Sequence, residues 1–350
     1  MNQKNVLVLF GGTGPEHEIS MASAEYVIGA LGRHRVIPVY ITKEGKWLLY
    51  DGKLDNIKNI DWEKFGTQAV LSPDRTHGGL MRIVGDKFKL IPVDVVFPVM
   101  HGPFGEDGTV QGLLELAGLP YVGCGVVASA VAMDKGVTKL VARALKIPQA
   151  EFICLDSSYI KENMGEALKK IRYKVGYPCF VKPACGGSSI GISKALNRKE
   201  LTAALELAME YSSRIVVEKM IEGREIEVGV FGAGEAARAT APGEIIPDGD
   251  FYDYNSKYIT GSQTVPTADI PKETAEKLRG YALAIFRAID GRGSSRVDFF
   301  VTPEGKIIFN EINTMPGFTG ISMYAKMWKE SGLSSQELIE ELLKLALEEA

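Results

Sequence analysis

Two acids and an amide interrupt an otherwise apolar stretch near the C-terminal end of the chain, VDFFVTPEGKIIFNEINTMPG, Val297 to Gly317. The stretch has the form of two strands joined by a Pro-Glu-Gly turn, and Asp298, Glu311 and Asn313 break its apolar run. With a turn of two or four residues, positions whose numbers sum to an odd value face each other. Arg296 and Asp298 then share a face with Glu311 and Asn313, while Phe299, Val301, Ile308 and Ile312 point the other way. An odd loop breaks this alignment. Two carboxylates at close range repel unless a cation separates them. With an amide carbonyl they form the hard oxygen set that Mg²⁺ accepts, water and substrate phosphates completing the shell. The same residues also fit a surface hairpin in which Asp298 simply pairs with Arg296.

A second pattern lies upstream. FVKPACGGSSIGISK, Phe180 to Lys194, ends a strand in Lys-Pro and runs into Gly186, Gly187, Ser188, Ser189 and Gly191. The amides and hydroxyls of such a turn can wrap phosphate oxygens, and Lys182 can reach them as a point charge. Neither GxxxxGKS nor GxxxxGKT is present, so this is no Walker A loop, and a plain glycine hairpin has the same composition. In VVEKMIEGREIEV, Glu218 ends a strand, the apolar Met220 and Ile221 follow, and Glu225 comes next. A carboxylate, a backbone hinge and apolar residues suit an adenine edge, with Glu225 for a ribose hydroxyl; a polar turn between strands is the plain alternative.

These groups need elements to hold them. The 350 residues, 45% hydrophobic, suffice for a large core split into two or three domains. A net charge of -4 without any run of five Lys or Arg argues against a nucleic-acid groove or an anionic membrane surface, and for small ligands. The first apolar run, NVLVLF, is too short for a signal segment, and nothing reaches the length of a membrane span. Four cysteines without a CxxC pair read as reduced thiols of a cytosolic protein.

NVLVLF followed by GGTG and HEISMASAEYVIGAL reads as strand, glycine turn and amphipathic helix. RVIPVYIT, VDVVFPVM and GTVQGLLELAG continue the β and α alternation, which predicts a parallel, doubly wound sheet up to a boundary near Gly123. MDKGVTKLVARAL is helical, with Val137, Leu140, Val141, Ala144 and Leu145 as its apolar positions. The middle of the chain alternates short strands with the helix RKELTAALELAMEY in an α+β unit of antiparallel character. The Gly/Pro/Asp/Tyr-rich segment Pro242 to Pro266 exceeds ordinary loop length and suits a lid. A helix Lys272 to Ala288, the acidic hairpin and a closing helix Ser334 to Glu349 complete the chain.

In this order the motifs resemble the ATP-grasp superfamily, and within it the D-alanine–D-alanine ligases. The resemblance covers nearly the whole chain and rests on LFGGTGPEHEIS, HGPFGEDGTVQG, MDKGVTK, FVKPACGGSSIGISK, VVEKMIEGREIEV, FYDYNSKY, SRVDFF and FNEINTMPGFTGIS. It implies an ATP-grasp fold of mixed α/β and α+β class. An N-terminal α/β substrate domain (1–123) would precede two α+β subdomains (124–218 and 219–350) that clamp ATP.

The resemblance also implies roles. Lys135 and Lys182 would contact nucleotide phosphates, Glu218, Met220, Ile221 and Glu225 would hold adenosine, and Asp298, Glu311 and Asn313 would bind two Mg²⁺, with Mn²⁺ as a substitute. Glu16 would receive the ammonium of the first D-alanine, close to His101. A hydrogen-bonded set of Glu16, Ser188 and Tyr258 would order the lid. Lys257, Ser322 and the Met323 amide would hold the second substrate's carboxylate, and Arg296 and the Gly317 amide would stabilise an oxyanion. The implied enzyme is a cytoplasmic homodimer that joins two D-alanines through a D-alanyl phosphate.

Some positions depart from the expected pattern. Cys185 and Gly186 stand where a more polar or bulkier pair is expected, and Met220 where an aromatic would stack on the base. Tyr258 favours a dipeptide product over a D-alanine–D-lactate one and leaves a D-serine product open. Another ATP-grasp carboxylate–amine ligase is the nearest alternative. A dinucleotide-binding dehydrogenase lacks the third glycine of GxGxxG, and a non-catalytic nucleotide sensor has no need of the metal ligands.

Overall fold

A computed structural model describes residues 2–54, 56–246 and 263–348. The first of its three sheets contains β1 (Asn5–Gly11), β2 (Arg35–Ile41), β3 (Trp47–Leu49), β4 (Thr67–Leu71), β5 (Gly79–Val84), β6 (Lys87–Pro92) and β7 (Val95–Val99), in the order β6-β5-β4-β3-β2-β1-β7. β1 pairs parallel with β2 and β7. Its continuous apolar run follows from burial on both faces: Val6, Val8 and Phe10 enter one core, Leu7 and Leu9 another. β3 to β6 extend this parallel centre as an antiparallel meander. Gly85 and Asp86 alone join β5 to β6, with Gly85 at φ 57°, too short a turn for a crossover helix, whereas residues 50–66 between β3 and β4 hold the short helix Trp62–Phe65.

The second sheet, β8 (Phe152–Asp156), β9 (Cys179–Pro183), β10 (Ser193–Ala195) and β11 (Arg214–Lys219), is antiparallel in the order β10-β9-β11-β8. Its core includes Ala167, Leu168 and Ile171 of the helix Met164–Lys174, and Leu201, Ala204 and Leu205 of the helix Arg198–Tyr211. The third sheet contains β12 (Arg224–Ala233), β13 (Arg238–Ala239), β14 (Gly243–Ile246), β15 (Gln263–Val265), β16 (Arg292–Val301) and β17 (Ile307–Asn313). Its path is β15-β14-β12-β16-β17, with β13 beside β12.

The cores do not follow chain order. Helix Ser335–Glu348 returns to the first sheet, where Leu338, Ile339, Leu342 and Leu343 pack with Val6, Val8, Phe10 and Trp62. Ala128, Ala132 and Ala142, on the helices Val126–Met133 and Lys135–Ala144, pack instead with Ile226 and Phe299 of the third sheet. The segment expected to act as a lid, Pro242 to Pro266, contains both β14 and β15, which pair with each other. Residues 247–262 between them, including Lys257 and Tyr258, lie outside the described residues.

Candidate active site

The acidic hairpin has the predicted facing, reached by a different route. Arg296 pairs with Asn313 and Asp298 with Glu311. The loop 302–306 between the paired Val301 and Ile307 nevertheless holds an odd number of residues. A bulge restores the alignment: Phe299 pairs with Phe309 and Asp298 with Glu311, leaving Asn310 as the extra residue on β17. The bulge also corrects one expectation. Ile308, assigned with Phe299 and Val301 to the opposite face, pairs with Phe300 and lines the same cavity as Asp298 and Glu311.

Asp298 is the centre of a row of three carboxylates across three strands, because Glu227 on β12 faces it from the other side. Glu227 was not singled out in the sequence, although its two-residue spacing from Glu225 marks the same strand face. Arg296 moderates the row. Its Nε and Nη2 donate to the Asp298 oxygens at 2.8 and 2.7 Å, and Nε lies 3.2 Å from Glu227. Lys135 Nζ stands 3.6 Å from Glu311.

A cavity of about 460 Å³ opens between the second and third sheets. Lys182 and Glu218 line it from one side, Glu225, Arg296, Asp298 and Glu311 from the other, and Met220 and Ile221 in the connection between β11 and β12. Phe180, Phe300 and Ile308 add apolar wall. The apolar walls with convergent charges suit a small ligand carrying a flat ring and an anionic tail.

Glu218 sits at the end of β11, 4% exposed, with one lysine on each oxygen: Lys139 at 2.6 Å and Lys182 in direct contact. Burial alone would raise the Glu218 carboxyl; the two ammonium groups outweigh it and hold it at about 2. Burial likewise opposes the charge on Lys182, and the carboxylates of Glu218, Glu311 and Glu225 together more than offset that, raising the lysine above its ordinary value. Lys182 also donates to Asn310 Oδ1 at 3.4 Å, tying the bulge to β9.

Lys139 is a residue the apolar pattern missed. Leu140, Ala144 and Leu145 of its helix are exposed, while Gly136, Thr138, Lys139 and Ala142 are buried. The available signal was its i+4 spacing from Lys135, which puts both lysines on one face.

The glycine-rich turn joins this cavity to a second cluster. It connects the antiparallel β9 and β10, so it is a hairpin loop in topology. Lys135 Nζ donates to the Gly186 carbonyl at 2.8 Å. Ser188, held in the left-handed region at φ 48°, donates its hydroxyl to Glu16. A Cβ at Gly187 would stand 2.8 Å from Glu16 Oε1, and one at Gly102 would overlap Glu16 Oε2. Both glycines therefore permit close approach to the acid. His101 Nε2 lies 3.0 Å from Ser23 Oγ, and its Nδ1 3.4 Å from Glu106. Cys185 Sγ is 3.9 Å from Asp134 Oδ2. Burial and that carboxylate push the thiol up, so it is not poised as a nucleophile.

After β17 the chain turns through Gly317 to Ser322, the cap residue of the helix Met323–Glu330. The Thr319 amide donates to Ser322 Oγ at 2.9 Å, and a Cβ at Gly317 would stand 3.1 Å from that oxygen. The Met323 side chain is buried with Ile245 and Met327, leaving its amide as the part with a chemical use at the helix start.

The donor chemistry fits Mg²⁺. Asp298 and Glu311 are directly opposed, Asn313 follows on the same face, and all three present hard oxygens. Asn313 Oδ1 already accepts from the Met315 amide at 2.8 Å, which orients the side chain. Among the described residues no group of three or more His, Cys, Asp or Glu is arranged to hold an ion. The two carboxylates and the amide would form an open set that oxygens from a ligand would have to complete.

Comparison with known proteins covers almost the whole chain. Residues 5–124 match the family model of the D-ala D-ala ligase N-terminus and residues 141–344 that of the C-terminus. A D-alanine–D-alanine ligase from Acetivibrio thermocellus is 46% identical over 365 residues, covering 99% of this chain and 96% of the relative. One from Caldicellulosiruptor bescii is 45% identical, with the same coverages. Among solved structures, the VanG D-Ala:D-Ser ligase from Enterococcus faecalis has a TM-score of 0.89 at 37% identity, covering 99% of this chain and 100% of that one. The D-alanine-D-alanine ligase from Coxiella burnetii has a TM-score of 0.85 at 34% identity, covering 99% and 96%.

Proposed function

The chain belongs to the D-alanine–D-alanine ligase family, and from that premise we propose that it joins two D-alanines to D-alanyl-D-alanine in an ATP-dependent reaction, for peptidoglycan precursor synthesis. The observation that carries this reading is the convergence of Lys182, Glu218, Glu225, Arg296, Asp298 and Glu311 on one cavity, with the Glu16–Ser188 pair reached through the same glycine-rich turn.

A carboxylate is a poor electrophile, so a carboxylate oxygen of the first D-alanine attacks the γ-phosphorus of ATP, the bond to the bridging oxygen breaks, ADP leaves, and an acyl phosphate is formed. The amine of the second then attacks the acyl carbon and phosphate leaves. Glu16, oriented by Ser188, takes the first ammonium, with His101 nearby. Lys135 and Lys182 neutralise phosphate charge, while Glu218, Met220, Ile221 and Glu225 hold the adenosine. The Arg296 guanidinium, oriented by Asp298 and Glu227, and the Gly317 amide serve as oxyanion donors, contacts worth about 3 to 4 kcal/mol each. The Ser322 hydroxyl and Met323 amide receive the second substrate's carboxylate; Lys257, expected to share it, and Tyr258, expected to join Glu16 and Ser188, lie outside the described residues. Asp298, Glu311 and Asn313 would hold two Mg²⁺ or Mn²⁺, whose chemistry is to neutralise the triphosphate.

We also propose a cytoplasmic homodimer. Four free cysteines, and the absence of any described helix long and apolar enough to cross a membrane, support the location; a closed two-fold pair is the commonest assembly.

D-serine at the second site is a second reading, favoured by the likeness to the VanG D-Ala:D-Ser ligase. The test supplies ATP and Mg²⁺ with D-alanine alone, D-alanine plus D-serine, or L-alanine, and follows phosphate release and product mass. D-alanine alone is expected to give phosphate and the homodipeptide. Phosphate release only when D-serine is added reassigns the second site, and no turnover with any D-amino acid refutes the ligase reading.

A further inference from the structure

Lys139 has no part in the roles above, yet its side chain is 2% exposed; burial lowers the pKa of its ammonium, and the Glu218 carboxylate beside it works against that shift. Its ammonium meets one oxygen of Glu218 at 2.6 Å, while Lys182 holds the other. The Phe152 ring lies 5.5 Å from the same ammonium. Glu218 and Lys182 line the cavity; Lys139 does not, and stands behind Glu218.

Burying an ion pair is a weak source of stability, since an apolar replacement of similar volume often serves as well. The charge count suggests a different use. Glu218 and Lys182 alone sum to zero, so a phosphate reaching Lys182 would meet a neutralised pair. With Lys139 protonated the three groups sum to +1, and Lys182 is the lysine among them that faces the cavity, where Glu311 and Glu225 also act on it. Lys139 sits one helical turn after Lys135, whose Nζ contacts the Gly186 carbonyl and stands 3.6 Å from Glu311. One helix face therefore carries two lysines to carboxylates of the cavity lining, Lys135 beside Glu311 and Lys139 behind Glu218.

We propose that Lys139 is a positioning residue for the nucleotide phosphates: by occupying one Glu218 oxygen from the rear, it leaves the Lys182 ammonium less fully neutralised toward the cavity. This rests on the reading that the cavity takes ATP.

The test measures dissociation constants of ADP with Mg²⁺, and of adenosine, for the full-length protein, for Lys139→Met and for Lys139→Met/Glu218→Gln, with thermal melting as the check on folding. Lys139→Met is expected to weaken ADP binding at least about tenfold and to change adenosine binding by no more than about twofold, because only the phosphates respond to the lost charge. The double variant removes one charge of each sign and keeps a polar end beside the base. Because Glu218 also serves the adenosine, the double variant is read as the ratio of ADP to adenosine affinity, which is expected to return to within about threefold of the unaltered protein's. Equal losses for ADP and adenosine in Lys139→Met, or a double variant whose ratio is shifted as far as the single variant's, overturn the proposal. Should Lys139→Met fail to fold, the double variant decides alone: a shift of about tenfold or more in that ratio refutes the charge account. An unaltered protein that binds neither ligand overturns the nucleotide reading and this inference with it.

Discussion

Glu218→Gln is expected to destabilise the protein by about 3 kcal/mol at neutral pH, and by progressively less in acid. The carboxyl lies at about 2 in the folded protein against an ordinary 4.5. At about 1.4 kcal/mol per pH unit, that gap corresponds to roughly 3 kcal/mol of stability tied to the charged form. The group is buried, so solvent screening takes little from this figure. A carboxylate held below its ordinary value stabilises fully above the unfolded value, and that stability is lost as pH falls through the folded one. The window therefore runs from about pH 5 down to about pH 2. Urea unfolding of both proteins at pH 7 and at about pH 3.5 isolates this group, because carboxylates common to both cancel in the difference. The destabilisation should shrink by about 1.4 kcal/mol between the two conditions. A difference that stays constant or grows on acidification would refute the account of Glu218 as a buried anion held by two lysines.

Glu311→Gln is expected to abolish phosphate release with ATP, Mg²⁺ and D-alanine while leaving the melting temperature within a few degrees; unchanged turnover would remove Glu311 from the metal site. At Gly102, φ is 74° and a Cβ would overlap the Glu16 carboxylate. Gly102→Ala should therefore raise the KM for D-alanine on the order of tenfold to a hundredfold with little change in that for ATP. Parallel changes in both constants would separate Glu16 from the amino-acid site.

The sequence by itself determined which residues stand out as candidates for the chemistry, because their types are unusual where they stand. Asp298, Glu311 and Asn313 interrupt an apolar hairpin, and glycines and serines follow Lys182 where a strand should turn. It also determined most helices and strands, whose periodicities are local properties; the helices Arg198–Tyr211 and Lys272–Ala288 lie where the apolar spacing puts them.

Only the tertiary structure decided what depends on residues far apart in the chain. Parity alone aligned Asp298 with Glu311, but the loop 302–306 has the wrong length for it, and the bulge at Asn310 makes the facing real and turns Ile308 to the cavity. The apolar spacing of residues 135–145 pointed away from Lys139, whose burial has meaning only beside Glu218 on another element. The helix Ser335–Glu348 announces an apolar face but not its partner, which is the first strand of the chain. An amphipathic pattern states that a face must be covered; which surface covers it is set by packing the whole chain at once.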